Sequence, residues 1–320
     1  MAGGTITLLL PARSRFGGQR LGASSSRWFA RGDRRQPEGA LPRRLFEVEG
    51  GAWPVAAATR QRDAGDAGSH VWLRADPVHV RPDINGVRLL SHGDALLLEP
   101  AEAGEFLDAL RPLFSDGGME IDAPVPTRWY VRLPAGTPLP PMAPVEDALG
   151  EDLFDNLPAG PEGRRWRALL TEAQVVLHNH PHNTARAAAG LAPVNSLWFW
   201  GGGSLPERAS LDAARVLSDD DGLRAMASLA GVAAEPLPEA WPGSGSALAD
   251  LRHARDLAPL ERDWFAPVLS ALEHGHVGRV RVAFADGLEL DLRRRHALRL
   301  WRRPMHSFIA GLPGDPEGTE

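Results

Sequence analysis

The sequence predicts an α/β protein with a mixed sheet and flanking helices. Three observations lead there. Short apolar runs bounded by Gly, Pro, Asn and Asp dominate the first half. Apolar positions three and four residues apart dominate the second half, and the two kinds of segment alternate only loosely. The 320 residues, 43% of them hydrophobic, suffice for one large domain or two ordinary ones.

In chain order, TITLLL (5–10) reads as a buried first strand, followed by strands at HVWLRA (70–75), GVRLL (86–90) and ALLLE (95–99), with INGV (84–87) as a turn. Residues 100–115 read as a helix with Pro100 near its start and an apolar stripe of Phe106, Leu107 and Leu110, which Pro112 disturbs. TRWYVRLP (127–134) is a further strand. The Pro-rich stretch 134–144 is the best candidate boundary. It separates a strand-containing region, 1–133, from a second α/β region, 146–310, unless the chain is one continuous domain.

Beyond it, residues 163–180 place Trp166, Leu169, Leu170, Ala173 and Leu177 on one helical face. Residues 218–231 read as a helix with Ser218 as N-cap, Asp221 in the first turn and Gly231 as the stop; capping accounts for the three carboxylates of SDDD. Residues 235–246 are loop-like, 261–275 a helix broken or started at Pro267, and 278–293 a hairpin around Asp286-Gly287. The tail, 311–320, reads as disordered.

Composition excludes several chemistries. There is no cysteine, which removes disulfides, thiolate nucleophiles and Cys-held metals and fits a cytoplasmic location. All 35 basic residues are Arg, which removes lysine Schiff bases and the P-loop lysine. No apolar run approaches 18 residues, so no membrane span is expected. A net charge of −6 argues against nucleic acid as a partner. The charge is uneven: residues 1–62 hold eleven Arg against four acidic residues, leaving −13 for the rest. The Arg- and Ser-rich run 13–35 has transit-peptide composition, but the strand before it favours a folded N-terminal segment.

The stretch HNHPHNTARAAAGLAPVNSLWFWGGG (178–203) concentrates the candidate chemistry and admits three readings. His178, His180 and His182, with His274 and His276 elsewhere, offer imidazole ligands, although Pro181 interrupts the element and no acidic residue falls between them. Gly201 and Gly203 after an apolar strand suggest a nucleotide loop, but Pro206 stands at the third glycine position. In the third reading Pro181 opens a short helix stopped by Gly190. Its free N–H groups with Arg186 hold a phosphate or carboxylate, and His180, Asn183 and Asn195 add contacts. Against it, the two asparagines tie down loop backbone and Arg186 pairs with a carboxylate. Trp198 and Trp200 share one face of the strand, and Asn195, Leu197 and Phe199 the other. Asp76 and His79, placed just past the 70–75 strand, are additional candidates; the alternative is an Asp–Pro turn with a satisfied histidine.

The block from Asp155 to Gly203, with ADPVHV (75–80) upstream and DWFAPVLSALEHG (263–275) and LWRRP (300–304) downstream, resembles RpfE-type regulatory proteins of bacteria. Over a shorter stretch it is similar to archaeal-type cofactor-independent phosphoglycerate mutases, through His180, Pro181, Asn183, Arg186, Gly190, Pro193, Asn195 and Gly201–Gly203; His182 stands at an ordinarily apolar position. The resemblance implies a degenerate phosphomutase, alkaline-phosphatase-like scaffold. Those mutases use two metals held by Asp and His and a Ser or Thr nucleophile. Here TITLLL runs into PARSRFGG with no acidic residue before Asp33, the C-terminal Asp-x-x-x-Asp-His pattern is missing, and Trp200 replaces an expected Arg.

The expectation is therefore a non-catalytic regulatory or small-anion-sensing cytoplasmic protein without a cofactor, binding a phosphorylated or carboxylated metabolite or a protein partner. The alternative is a phosphoglycerate mutase or related phosphoryl-transfer enzyme with divergent Mn or Zn ligands.

Overall fold

The computed structural model describes residues 3–51, 53–84, 86–134, 137–243 and 245–309. The chain divides into two compact units, one formed by residues 1–48 with 208–320 and the other by 49–207. This differs from a division at the Pro-rich connection. The strands on either side of 134–144, Arg128–Leu133 and Ser196–Gly203, both pair with Val71–Asp83, so the connection runs within one sheet's unit.

The first unit is built on a mixed seven-stranded sheet, in the order Ala233–Glu235, Arg215–Leu217, Ala247–Asp250, Gly4–Leu10, Val277–Phe284, Glu289–Leu292, Asp33–Arg35. Its first five strands are parallel, and Glu289–Leu292 runs antiparallel to both of its neighbours. Gly4–Leu10 sits at the centre, as its apolar run predicts. Ile6, Leu8 and Leu10 line up with Val280, Val282 and Phe284 and with Leu290 and Leu292 to form one apolar face. Trp28 and Phe29 of helix Ala23–Arg31 and Val268, Leu269 and Leu272 of helix Ala266–His274 cover it. Phe308 wedges its ring 5.5 Å from Phe29 and 4.9 Å from Phe284. Helix Ala23–Arg31 lacks a cap of its own. The Glu261 carboxylate supplies one, accepting from the Gly22 N–H at 3.0 Å and the Ser25 hydroxyl at 2.6 Å.

The 261–275 segment is more complex than a single helix. Leu257–Leu260 leads into a π turn, Glu261–Phe265, and then helix Ala266–His274, with Pro267 in its first turn. The 278–293 hairpin forms around Asp286-Gly287 as expected. Helix Asp221–Leu229 begins two residues later than Ser218 suggests. Asp220 is its N-cap, accepting from the Leu223 N–H at 2.9 Å. The 311–320 tail lies outside the described residues.

The second unit holds an antiparallel sheet of Gly86–His92, Val71–Asp83, Arg128–Leu133, Glu120–Val125 and Ser196–Gly203. Helices Pro100–Asp116 and Gly160–His178 pack their apolar stripes against it; Phe106, Leu107, Leu110, Trp166, Leu169, Leu170, Ala173 and Leu177 are all buried. Pro112 does not break its helix: it stands on the exposed side, and the helix runs one more turn to Asp116. ALLLE forms no strand: Gly93–Leu96 is a 3-10 turn, and Leu97 takes a left-handed φ of 50° that turns Leu96 and Leu98 inward while exposing itself. Asn85 of the INGV turn lies outside the described residues.

The glycine triplet belongs to the strand Ser196–Gly203 and opens no helix, so the nucleotide-loop reading fails. A Cβ on Gly201, whose φ is 66°, would lie 3.2 Å from the Val55 Cβ, and one on Gly203 2.8 Å from the Pro54 Cβ. The glycines let the start of helix Val55–Asp63 approach the strand.

Candidate functional site

The HPHNTAR motif folds as helix Pro181–Ala188, with Pro181 in the first turn and Gly190 at φ 72° after its end. His180 is the N-cap, its Nδ1 accepting from the His182 N–H at 3.3 Å. Its ring stacks on His182 at 5.4 Å and packs against Phe106 at 4.5 Å. Burial pushes the His180 pKa down, and the neighbouring His182 adds to this. Asn183 donates to the Leu177 and Val194 carbonyls at 2.7 and 2.9 Å and accepts from the Val194 N–H at 2.9 Å. Asn195 exchanges two 2.8 Å bonds with the Val80 backbone. Arg186 is 1% exposed. Its guanidinium donates to the Ala192 carbonyl at 2.7 Å, to Glu102 at 2.8 Å and to the Leu96 carbonyl.

The four side chains thus each bind a different piece of the fold, and the geometry gives them structural bonds. Asn183 closes the loop after its helix, Asn195 pins that loop to the long strand, and Arg186 ties helix Pro100–Asp116 to the 3-10 turn before it. The motif's spacing is the spacing of these bonds. The histidine triplet does not converge: His180 and His182 stay stacked, with His182 Nε2 meeting Glu105 at 2.6 Å, while His178 is exposed at the end of its own helix.

Asp76 and His79 lie inside the strand Val71–Asp83, not past it. Asp76 is buried in a two-armed ion pair with Arg74, 2.8 Å on each arm, and accepts from the Trp200 indole N–H at 2.7 Å. The Arg74 guanidinium stacks between Tyr130 and Trp200, 5.3 and 5.2 Å from their ring centres. Trp200 therefore completes a closed ion-pair box. His79 is half-buried on the strand's other parity, and burial lowers its pKa. Asp76 and His79 do not join the HPHNTAR residues by any hydrogen bond.

The more site-like cluster escaped the sequence reading. In open α/β sheets, ligands bind at the carboxyl ends of the parallel strands. There, in the first unit, Ser218 follows Arg215–Leu217 and Asp250 ends the neighbouring Ala247–Asp250. Asp250 is 6% exposed. It accepts from the Ser218 hydroxyl at 2.8 Å and from Arg252 Nε and Nη2 at 2.7 Å each. Arg252 Nη2 also reaches Asp220 at 2.7 Å. Burial alone would raise the Asp250 pKa, but the Arg252 bonds and charge and the Ser218 hydroxyl outweigh it and hold the carboxyl below its usual range. Desolvation opposes the Arg252 charge too, and the two carboxylates more than compensate. The sequence signal was ALADLR, a small-residue strand ending in Asp two residues before an Arg.

No family model matches the chain. It is 28% identical over 160 residues to a probable 2,3-bisphosphoglycerate-independent phosphoglycerate mutase of Geobacter sulfurreducens. The chain is distantly similar to cofactor-independent phosphoglycerate mutases. A second such mutase, from Methanosarcina barkeri, is 30% identical over 149 residues. The matches take in 50% and 43% of this chain but only 39% and 36% of the two mutases, so the chain matches well under half of their length. Among solved structures, the cofactor-independent phosphoglycerate mutase from Thermoplasma acidophilum superposes with a TM-score of 0.43 at 14% identity, over 92% of this chain and 90% of that one. A Pyrococcus horikoshii protein gives 0.43 at 13% identity, over 91% and 87%.

The two-metal arrangement of alkaline-phosphatase-like mutases does not fit the residues present. Among the described residues no three or more His, Asp or Glu side chains gather as a metal would require. Where acidic groups do gather at the strand ends, Arg252 binds them. Among the described residues no helix is long and apolar enough to cross a membrane.

Proposed function

We propose that this phosphoglycerate-mutase-like protein is non-catalytic and acts as a regulatory or small-anion-sensing protein, as the likeness of its 155–203 block to RpfE-type regulatory proteins implies. The observation that supports this is the guanidinium of Arg252 seated between Asp220 and Asp250. A two-metal phosphoryl-transfer site needs carboxylates turned toward cations. Here the most buried of them is neutralised by a side chain of its own strand end, in bidentate geometry that a diffusible ion must displace.

The test is a 3-phosphoglycerate mutase assay of the purified protein with added manganese, run beside metal analysis. The expected result is no turnover above buffer. Two tightly held metals per chain together with turnover would instead make this a mutase with divergent ligands. The similarity to the Geobacter and Methanosarcina mutases is what favours that second reading.

A further inference from the structure

The deeply buried guanidinium groups of Arg60, Arg74 and Arg186 end on carboxylates, carbonyls and, for one nitrogen of Arg74, the Thr59 hydroxyl. Arg44 differs. It lies in the 3-10 turn Arg43–Leu45 with its side chain 5% exposed. Its Nη1 donates to the Gly39 carbonyl at 3.2 Å, while Nε and Nη2 have no acceptor. The Glu289 carboxylate stands 4.0 Å from Nη2, outside hydrogen-bond reach.

Its neighbour has the same deficit. Arg281 Nε lies 3.0 Å from the other Glu289 oxygen but out of line, and it too lacks a hydrogen-bond acceptor. Arg281 lies on a charged face of the first unit's sheet, opposite the apolar one, and Arg44 approaches that face from its 3-10 turn. In register, Thr7, Arg281 and Asp291 form one row, and Leu9, Ala283, Glu289 and Arg35 the next. Arg279, Arg293 and Arg35 crowd Asp291, and Arg281 and Arg44 crowd Glu289. Five guanidinium groups therefore surround two carboxylates. Buried charged donors without acceptors are costly, and a water, an ion or a ligand group can complete the set. Burial pushes the Arg44 pKa down and Arg281 adds to this, while Glu289 and, more weakly, Asp286 oppose it.

We propose that Arg44 and Arg281 bind a phosphate group against this charged face. A tetrahedral, multiply charged oxyanion can accept from Arg44 Nε and Nη2 together and from Arg281 Nε along a different direction, which one planar carboxylate cannot. It also matches the surplus of positive charge. The site gives the anion-sensing reading above a location, and rests on that reading for its biological role.

The test is isothermal titration of the full chain with inorganic phosphate and with glycerol 3-phosphate, in chloride buffer at constant ionic strength. Saturable binding is expected, weakened at least tenfold by Arg44→Met and by Arg281→Gln. Arg44→Met removes a buried charge and keeps the stem; Arg281 is already partly exposed, so Arg281→Gln should fold even if the first variant does not. Arg262→Gln, at a side chain 75% exposed, should leave the affinity unchanged. Binding of both probes assigns the site to the phosphate group itself, and binding of the ester alone to a phosphorylated metabolite. The proposal is overturned by no saturable binding of either probe, by undiminished binding in the folded variants, or by equal weakening in Arg262→Gln. A mutase assay on the same protein reports on the earlier reading alone.

Discussion

Arg252 grips Asp250 through two guanidinium nitrogens at 2.7 Å each, on a carboxylate that solvent barely reaches. Arg252→Met leaves that carboxylate buried with the Ser218 hydroxyl and the backbone N–H of residue 252 as its donors, and no countercharge on that side chain. Breaking such a pair from one side costs about 3–5 kcal/mol, and the partial exposure of Arg252 places the expected loss near the lower end. The pH dependence has a defined sign. In the wild type the Asp250 pKa is depressed, so its contribution is present above the ordinary carboxylate range and is lost as pH falls through the folded value. In Arg252→Met, burial without the guanidinium raises the folded pKa, so the variant should regain part of its deficit on acidification from pH 7. Urea unfolding at pH 7 and pH 5 measures this; an equal deficit at both would show that Arg252 is not what keeps Asp250 ionised.

Arg186 is expected to act through stability. Arg186→Ala unseats Glu102 and leaves the Leu96 and Ala192 carbonyls without their donor, for a loss of about 3 kcal/mol. Arg186→Lys should recover little of it, since an ammonium cannot reproduce a fork that reaches three acceptors on separate segments. Denaturant midpoints without any ligand provide the measurement. A wild-type midpoint in Arg186→Ala would return the residue to a ligand-binding role.

Legibility from the sequence followed the range of the interactions. The central strand, the two long helices of the second unit and the C-terminal hairpin are written in local periodicity and turn residues, and they form as predicted. The 95–99 segment was misread because apolar content alone does not distinguish a strand from a turn with alternating burial. The two compact units do not divide at the Pro-rich stretch, a local signal, because sheet pairing between Val71–Asp83 and Ser196–Gly203 spans more than a hundred residues. The candidate site depends most on long-range contacts. Asn183 and Arg186 look like ligand-binding residues by type and spacing, and only their long-range partners reveal backbone bracing. Asp250 and Arg252 are local neighbours, but Ser218 reaches them by strand adjacency, which no local spacing encodes.

The Arg74–Asp76 pair should show the asymmetry of buried ion pairs. Asp76→Ala strands a guanidinium between Tyr130 and Trp200 and also removes the indole's acceptor, for a loss of about 3–5 kcal/mol. The double variant Arg74→Met with Asp76→Leu removes both charges, and should cost less than Asp76→Ala alone because apolar replacement of a whole buried pair is close to neutral. A double-mutant cycle by chemical denaturation reads this directly. Additive losses would mean the two charges are solvated independently, contrary to their burial.

His180 should make the second unit's helix Pro181–Ala188 sensitive to mild acid. Its Nδ1 accepts the His182 N–H and must be unprotonated to do so. Burial and the stacked His182 ring lower its folded pKa below the ordinary 6.5. Its contribution is therefore complete above pH 6.5 and is lost as pH falls through the folded value, because the unfolded chain takes up the proton first. His180→Asn keeps a capping acceptor without a titrating group, so it should hold near-wild-type stability at pH 7.5 and flatten the decline below 6.5. His180→Ala should cost about 1 kcal/mol at pH 7.5 by loss of the cap. Amide exchange of residues 182–184 followed from pH 7.5 to 5.5, corrected for intrinsic rates, isolates this helix from the histidines outside it, and comparison with His180→Asn separates His180 from His182 within it. Unchanged protection across that range in the wild type would remove His180 as the titrating cap.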